Sequence, residues 1–200
     1  MKQFLLCVSL VSMILVVGCF GGGKSRINPP KLDATAAGKE AIKLYDKNGD
    51  GVIKGDELDA TPALKYALAW LDKDGDGGIS AAEITNRIKE WQDSKTGLTL
   101  QSINIHYGGK PVKSGNVILT PEAFLGGTFS PAKGQINDGS VTPSCENNPD
   151  GLSGMPLGFY TVTFENLPGG ITAPALGIEI FDKNPEFQKS NMYTLELKVK

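Results

Sequence analysis

Two acidic stretches, DKNGDGVIKGDE at residues 46–57 (loop one) and DKDGDGGISAAE at residues 72–83 (loop two), decide the fold of the first half of this 200-residue chain. Both match the pattern D-x-[DN]-x-[DN]-G-x5-E without a gap. Oxygen-bearing side chains alternate along each run, and a glycine at the sixth position permits the sharp turn that folds them inward. Calcium prefers six to eight oxygen ligands, which such a loop can supply. The sequence therefore predicts two Ca²⁺ sites.

Each loop offers ligands at the same five positions, which are three side chains, one backbone carbonyl and a closing glutamate. They are Asp46, Asn48, Asp50, Val52 and Glu57 in loop one, and Asp72, Asp74, Asp76, Gly78 and Glu83 in loop two. Loop two has four carboxylates and loop one has three, so we expect loop two to bind calcium first. Ile53 and Ile79 occupy the eighth positions, where we expect the loops to pair as a short two-stranded ribbon and to bury both isoleucines.

Segments before, between and after the loops carry helix signals. The signals are an N-cap, a proline at the first helical position and a capping box, provided by Asp33, by Thr61-Pro62, and by Ser80 with Glu83. Residues 33–96 therefore resemble a paired EF-hand domain. Only residues 58–71 separate the loops, a compact spacing that is similar to that of dockerins, although dockerins lack the entering helix that residues 34–45 provide. This spacing favours a rigid calcium-bound unit over the open groove of a calcium sensor.

The N-terminus has the pattern of a bacterial lipoprotein signal. A lysine at position 2 precedes the apolar run at residues 4–17, which is too short for a spanning helix, so residues 1–18 are predicted to be a signal peptide. The tetrad Val16-Val17-Gly18-Cys19 resembles a lipobox, which implies that Cys19 is diacylated and becomes the mature N-terminus. Residues 19–32 contain a glycine triplet and Pro29-Pro30 and are predicted to be a flexible tether. An uncleaved anchor and simple secretion remain the alternatives.

The pattern changes at Gly97. Short runs with period-two alternation follow at residues 103–107, 117–119, 159–164, 178–181 and 193–199, with glycine and proline turns between them and no helical period. Residues 97–200 are therefore predicted to form an antiparallel β-sandwich. The complete chain is predicted to be a multidomain α+β protein, with a helical EF-hand pair followed by this sandwich.

Two segments of the β region suggest a family. YGGKPVKSGNVIL at residues 107–119 and GFYTVTF at residues 158–164 resemble the carboxypeptidase-regulatory-like or transthyretin-like sandwich, which has an Ig-like architecture. Enzymatic transthyretin relatives hydrolyse a purine product with several His and Arg residues and a C-terminal Tyr-Arg-Gly-Ser. This chain has His106 alone, no arginine after Arg87, and a different C-terminus, so that catalytic set is absent.

The sequence offers little for catalysis or for nucleic acid. Cys7 belongs to the predicted signal peptide and Cys19 to the lipid, which leaves Cys145 without a disulfide partner and without a nearby histidine. We therefore predict that the protein is not an enzyme, with a hydrolase as the weakest hypothesis. The formal charge is −2 and no basic run occurs, so no nucleic-acid partner is expected.

These patterns together indicate a membrane-anchored lipoprotein of the cell envelope that faces the periplasm or the exterior. We predict a structural or adhesive module in which calcium rigidifies the EF-hand pair, with an unidentified envelope protein or polysaccharide as its partner. The alternative is an envelope calcium sensor or buffer, which would expose an apolar surface to a dye when calcium binds. No acidic loop of this type recurs after Gly97, so we expect residues 98–200 to unfold independently of calcium.

Overall fold

The computed structural model describes residues 27–197, so the predicted signal peptide, Cys19 and the first part of the predicted tether lie outside the described residues. The described helices are α1 (Ala34–Tyr45), α2 (Pro62–Leu71), α3 (Ala81–Asp93) and α4 (Pro185–Ser190). The described strands are β1 (Val52–Lys54), β2 (Gly78–Ser80), β3 (Ile103–Tyr107), β4 (Lys110–Pro111), β5 (Ser114–Pro121), β6 (Ala132–Asn137), β7 (Ser140–Val141), β8 (Ser144–Cys145), β9 (Gly158–Glu165), β10 (Leu176–Ile180) and β11 (Tyr193–Leu197). None of these helices has the length and apolarity that a membrane span requires.

Helices α1, α2 and α3 begin at the capping residues that the sequence predicts. The Asp33 side chain caps α1 by accepting from the Ala36 amide at 2.9 Å, and Pro62 is the first residue of α2. Ser80 and Glu83 form the capping box of α3. A 3-10 helix, Gly55–Ala60, occupies the short connection between loop one and α2. These local signals fix where each helix begins, because they satisfy amides that have no partner inside the helix.

Strands β3 to β11 form one nine-stranded sheet, which curls on itself. The main path runs β10-β9-β5-β6-β7-β3-β11, with β4 paired to β3 and β8 to β6. Every pair in it is antiparallel except β11 with β3, which is parallel and sets Leu195 opposite Ile105. The α+β class is therefore observed, with the helices first and the large sheet second.

The five predicted strands are confirmed within the described residues as β3, β5, β9, β10 and β11. The last two residues of the fifth predicted run, 198 and 199, lie outside the described residues. The sequence shows no helical period after Gly97, but a short helix, α4, lies between β10 and β11. It has only six residues and begins at an N-cap, where Asn184 Oδ1 accepts from the Glu186 amide at 2.8 Å. A single capped turn and a half is too short to show a helical period.

The sheet packs on both of its faces. Tyr160 of β9 points into a core enclosed by the curled sheet, where Ile105, Leu119 and Ile178 are also fully buried. Its neighbour Phe159 points the other way, into a core shared with the helices. The ring centres of Phe159 and Trp91 of α3 lie 4.7 Å apart. The helices and the sheet therefore share one apolar core.

A glycine lets α2 lie directly on the sheet. A Cβ atom on Gly177 of β10 would come within 1.8 Å of the Pro62 carbonyl oxygen and 2.4 Å of the Ala63 amide nitrogen. Both atoms belong to the backbone at the start of α2, so a side chain could not fit without moving the helix. The missing side chain therefore allows the segment that follows loop one to lie against the edge of the sheet.

Candidate metal centre

Loop one is held by its own side chains. Asp46 accepts from the amides of Gly49 and Gly51 at 2.7 and 2.8 Å. Glu57 reaches back across the loop and accepts from the Lys47 amide at 2.8 Å. Backbone hydrogen bonds from Lys54 and Lys47 lower the pKa of Glu57, so its carboxylate is favoured. The carboxylates of the first and last predicted ligands therefore both point into the interior of loop one.

Loop two repeats this arrangement position by position. Asp72 accepts from the amides of Gly75 and Gly77 at 2.7 and 2.9 Å, and Glu83 accepts from the Lys73 amide at 2.7 Å. The sixth-position glycine has φ of 82° here and 90° at Gly51, values that L side chains rarely adopt. The two sequence matches therefore correspond to two equivalent backbone conformations.

The predicted ribbon between the loops is confirmed. β1 and β2 pair antiparallel, with Ile53 opposite Ile79 and Val52 opposite Ser80. Both isoleucines are completely buried. Val52 and Gly78 begin these two strands, so the predicted carbonyl ligands lie at the ribbon that links the loops.

The carboxylates of loop two fit a divalent ion. One oxygen from each of Asp72, Asp74 and Asp76 lies within 4.8 Å of the others, which is the spacing that several ligands of one ion require. In loop one, Asn48 replaces the middle carboxylate, and Lys54 Nζ forms an ion pair with Asp50 at 2.7 Å. The hydrogen bond from Lys54 lowers the pKa of Asp50. A metal ion at loop one would therefore compete with this lysine.

No protein-family model, curated protein or solved structure matches this chain. Hard oxygen donors are gathered in two loops, and the described residues have no histidine or thiolate beside them, which favours calcium over zinc or copper.

One buried carboxylate was not indicated by the sequence pattern. Glu179 of β10 is completely buried and accepts hydrogen bonds from three helical side chains. Trp70 Nε1 donates at 2.8 Å, Trp91 Nε1 at 3.0 Å, and Arg87 donates through Nε at 2.6 Å. Burial opposes the charge on Arg87, but its hydrogen bonds and ion pair with Glu179 outweigh that cost and raise the pKa of Arg87. Both tryptophans also pack in the helical core, Trp91 buried and Trp70 partly buried, so each combines core packing with a hydrogen bond to this carboxylate.

A second buried carboxylate, Glu122, follows β5 and contacts the end of α1 and the start of α2. It accepts from the Tyr45 hydroxyl, the Ala63 amide and the Thr161 hydroxyl, each at 3.1 Å. The Ala63 amide is one of the free amides at the start of α2, where a carboxylate is favourable. Burial raises the pKa of Glu122, although these three hydrogen bonds oppose the shift.

Replacing Glu122 by Gln is expected to change how stability depends on pH. Between the ordinary pKa of the carboxyl and its raised folded value, the folded protein binds more protons than the unfolded chain, so this group lowers stability as pH rises. As pH rises through this range, the free energy of unfolding of the parent should therefore fall relative to that of Glu122→Gln. The fall should be about 1.4 kcal/mol for each unit by which the pKa of Glu122 differs between the folded and unfolded states. Urea unfolding at pH 5, 6 and 7 with fixed calcium measures it.

The matched control is Glu165→Gln, which removes an exposed carboxylate from β9. It should follow the parent at every pH. A Glu122→Gln curve that also runs parallel to the parent would contradict the prediction, because Gln can accept from Ala63 and donate to Tyr45 and so retains most of the contacts.

The remaining reactive side chains lie away from the loops. The Cys145 thiol is buried and donates to the Ser130 carbonyl at 3.3 Å. Burial raises the pKa of Cys145, which disfavours the nucleophilic thiolate. His106 is half-buried on β3, with Nδ1 at 3.9 Å from Glu196 Oε2. These environments support packing and surface roles for the two residues.

Proposed function

We propose that this protein binds two calcium ions through an EF-hand pair, with the ten ligands predicted from the sequence. The observation that carries the proposal is the repeated loop geometry. In each loop the first aspartate accepts from two glycine amides, and the final glutamate accepts from an amide at the loop start. Two loops paired through Ile53 and Ile79 can share the effects of binding.

The calcium sites are proposed to have a structural role. In a sensor, calcium opens a groove between helices that accepts a partner. Here the apolar faces of the helices contact Phe124, Phe159 and Phe181 of the same chain. The aromatic side chains occupy the surface that a sensor would offer, which favours rigidification over exposure. We further propose that the curled sheet is a transthyretin-like module that presents a binding surface.

The proposed setting is the cell envelope. A lipid on Cys19 would anchor the chain, and calcium outside the cytoplasm would keep the sites filled even at dissociation constants of about 10⁻⁴ to 10⁻³ M. The proposed partner is an envelope protein or polysaccharide. This role follows from the N-terminal pattern and from the absence of a catalytic set in the sequence.

Calcium titration of two variants tests the metal assignment. Glu83→Gln should reduce binding more than Glu57→Gln, because loop two has the larger number of carboxylates and, among the described residues, no lysine forms an ion pair with its ligands. Isothermal titration of the parent should show two sites, with the tighter one lost in Glu83→Gln. If neither variant differs from the parent, the calcium assignment is wrong. A larger loss in Glu57→Gln would reverse the ranking of the loops.

Membrane attachment is tested separately at Cys19. Cys19→Ala should release the protein from membranes, because the variant lacks the thiol that would carry the lipid anchor. Cells are broken, membranes are washed with high salt, and the protein is followed in the pellet and the supernatant. Cys145→Ala is the matched control and should stay in the pellet. A Cys19→Ala protein that remains in the washed pellet would contradict the lipoprotein proposal.

A further inference from the structure

Each of the two buried carboxylates connects the element before a calcium loop with the element after it. Glu122 joins Tyr45, the last residue of α1, to the Ala63 amide at the start of α2, and loop one lies between them. Glu179 joins Trp70 near the end of α2 to Arg87 and Trp91 of α3, on either side of loop two.

The attachment points lie next to the first ligand of each loop. Tyr45 directly precedes Asp46, and Trp70 is two residues before Asp72. The amides of Asp46 and Asp72 close the last turns of α1 and α2, donating to Ile42 and Leu68 at 2.9 and 3.1 Å. A movement of either helix end would therefore move the first ligand of the corresponding loop.

Aromatic packing strengthens both attachments. The Tyr45 ring packs edge-on against Phe124 with centres 6.3 Å apart, and Trp70 packs edge-on against Tyr66 at 5.0 Å. Each aromatic side chain is thus held by its ring and by its polar tip. The same combination occurs at both loops, although Glu179 belongs to β10 and Glu122 to the segment that follows β5.

We infer that Glu122 and Glu179 are positioning residues that set the calcium affinity of loop one and loop two from the sheet. The inference rests on the proposed calcium function. Without an ion, the clustered carboxylates of each loop repel one another and favour a wider spacing of the flanking elements. The attachments oppose that opening and keep a larger fraction of the protein in the arrangement that binds calcium, which raises the apparent affinity.

The coupling should be reciprocal and specific to each loop. If an attachment favours the calcium-bound arrangement, calcium must strengthen the same attachment by the same factor. The Glu122 attachment should act on loop one, and the Glu179 attachment on loop two. A purely structural contact would change stability without changing either calcium affinity.

Substitutions of the two aromatic residues test this without removing the buried carboxylates. Tyr45→Phe deletes only the hydroxyl that donates to Glu122. Trp70→Phe deletes the indole NH that donates to Glu179 and replaces the two fused rings by one, so it weakens both contacts of the second attachment. Glu122 keeps two other donors, and Glu179 keeps Arg87 and Trp91. Both variants should therefore remain folded, which thermal unfolding with chelator checks.

The calcium affinity of each loop is measured alone by combining these substitutions with one that abolishes calcium binding at the other loop. Glu83→Gln isolates loop one and Glu57→Gln isolates loop two, and calcium alone is titrated calorimetrically. Tyr45→Phe should weaken loop one by about three- to tenfold, and Trp70→Phe should weaken loop two by a similar factor. Each should leave the other loop within about twofold. Tyr107→Phe, on β3 and away from the helices, is the matched control.

The outcomes separate this inference from the proposed function. If the parent binds calcium at both loops and the two variants bind it equally well, the positioning role is wrong and the calcium function stands. Equal weakening of both loops by either variant would also overturn the inference, since it would report a general loss of stability. A parent that binds no calcium would overturn the proposed function itself.

Discussion

Arg87→Met is expected to lower the free energy of unfolding by about 3–5 kcal/mol, because it leaves a buried carboxylate without its counter-charge. Glu179 is completely buried, and the Arg87 guanidinium donates to both of its oxygens at 2.6 and 2.9 Å. The guanidinium also lies 4.8 Å from the centre of the Phe181 ring, so its loss removes packing as well as charge. Urea unfolding at fixed calcium measures the change.

Two matched variants identify the cause. Glu90→Gln removes the exposed partner of the same arginine and should cost less than about 1 kcal/mol. Arg87→Lys keeps the charge but loses the planar pair of donors, so its cost should be intermediate. If Arg87→Met costs no more than Glu90→Gln, the Arg87–Glu179 pair does not contribute to stability in the way that its burial indicates.

Removal of calcium is expected to destabilise the sheet together with the helices. Two sites, each filled at a hundred times its dissociation constant, would contribute about 5 kcal/mol to the free energy of unfolding. Trp91 and Phe159 lie in one shared core. In the described part of the chain, the Glu179 carboxylate accepts only from side chains of α2 and α3 and from Asn184. The sequence pattern predicted that residues 98–200 would unfold independently of calcium, whereas the shared core predicts one common transition.

Hydrogen exchange followed by mass spectrometry distinguishes the two expectations. After addition of a chelator, peptides from β9 and β10 should lose protection along with peptides from α2 and α3. Calorimetry should show one transition that moves to lower temperature. The double variant Glu57→Gln with Glu83→Gln is the control and should not respond to the chelator. Loss of protection in the helices while the whole sheet stays unchanged would restore the prediction of an independent β region.

Much of the fold could be predicted because its signals are local. The caps at Asp33 and Ser80, the proline that begins α2 and the alternation along β9 each act within a few residues. Strands of two residues, such as β7 and β8, and the six-residue α4 were missed, since such short elements have no measurable period. Their conformation depends on pairing and packing with distant segments.

The sequence by itself determined the candidate calcium loops, because every ligand of a loop lies within twelve consecutive residues and the glycine at the turn is part of the same run. Only the tertiary structure revealed Glu122 and Glu179. In sequence, Glu179 lies between Ile178 and Ile180 and has the pattern of a solvent-facing strand residue. The helices cover that face instead, and the donors that make the burial of Glu179 tolerable come from up to 109 residues away. A periodic pattern specifies which side chains share a face of a strand, but the packing of the whole chain decides what that face meets.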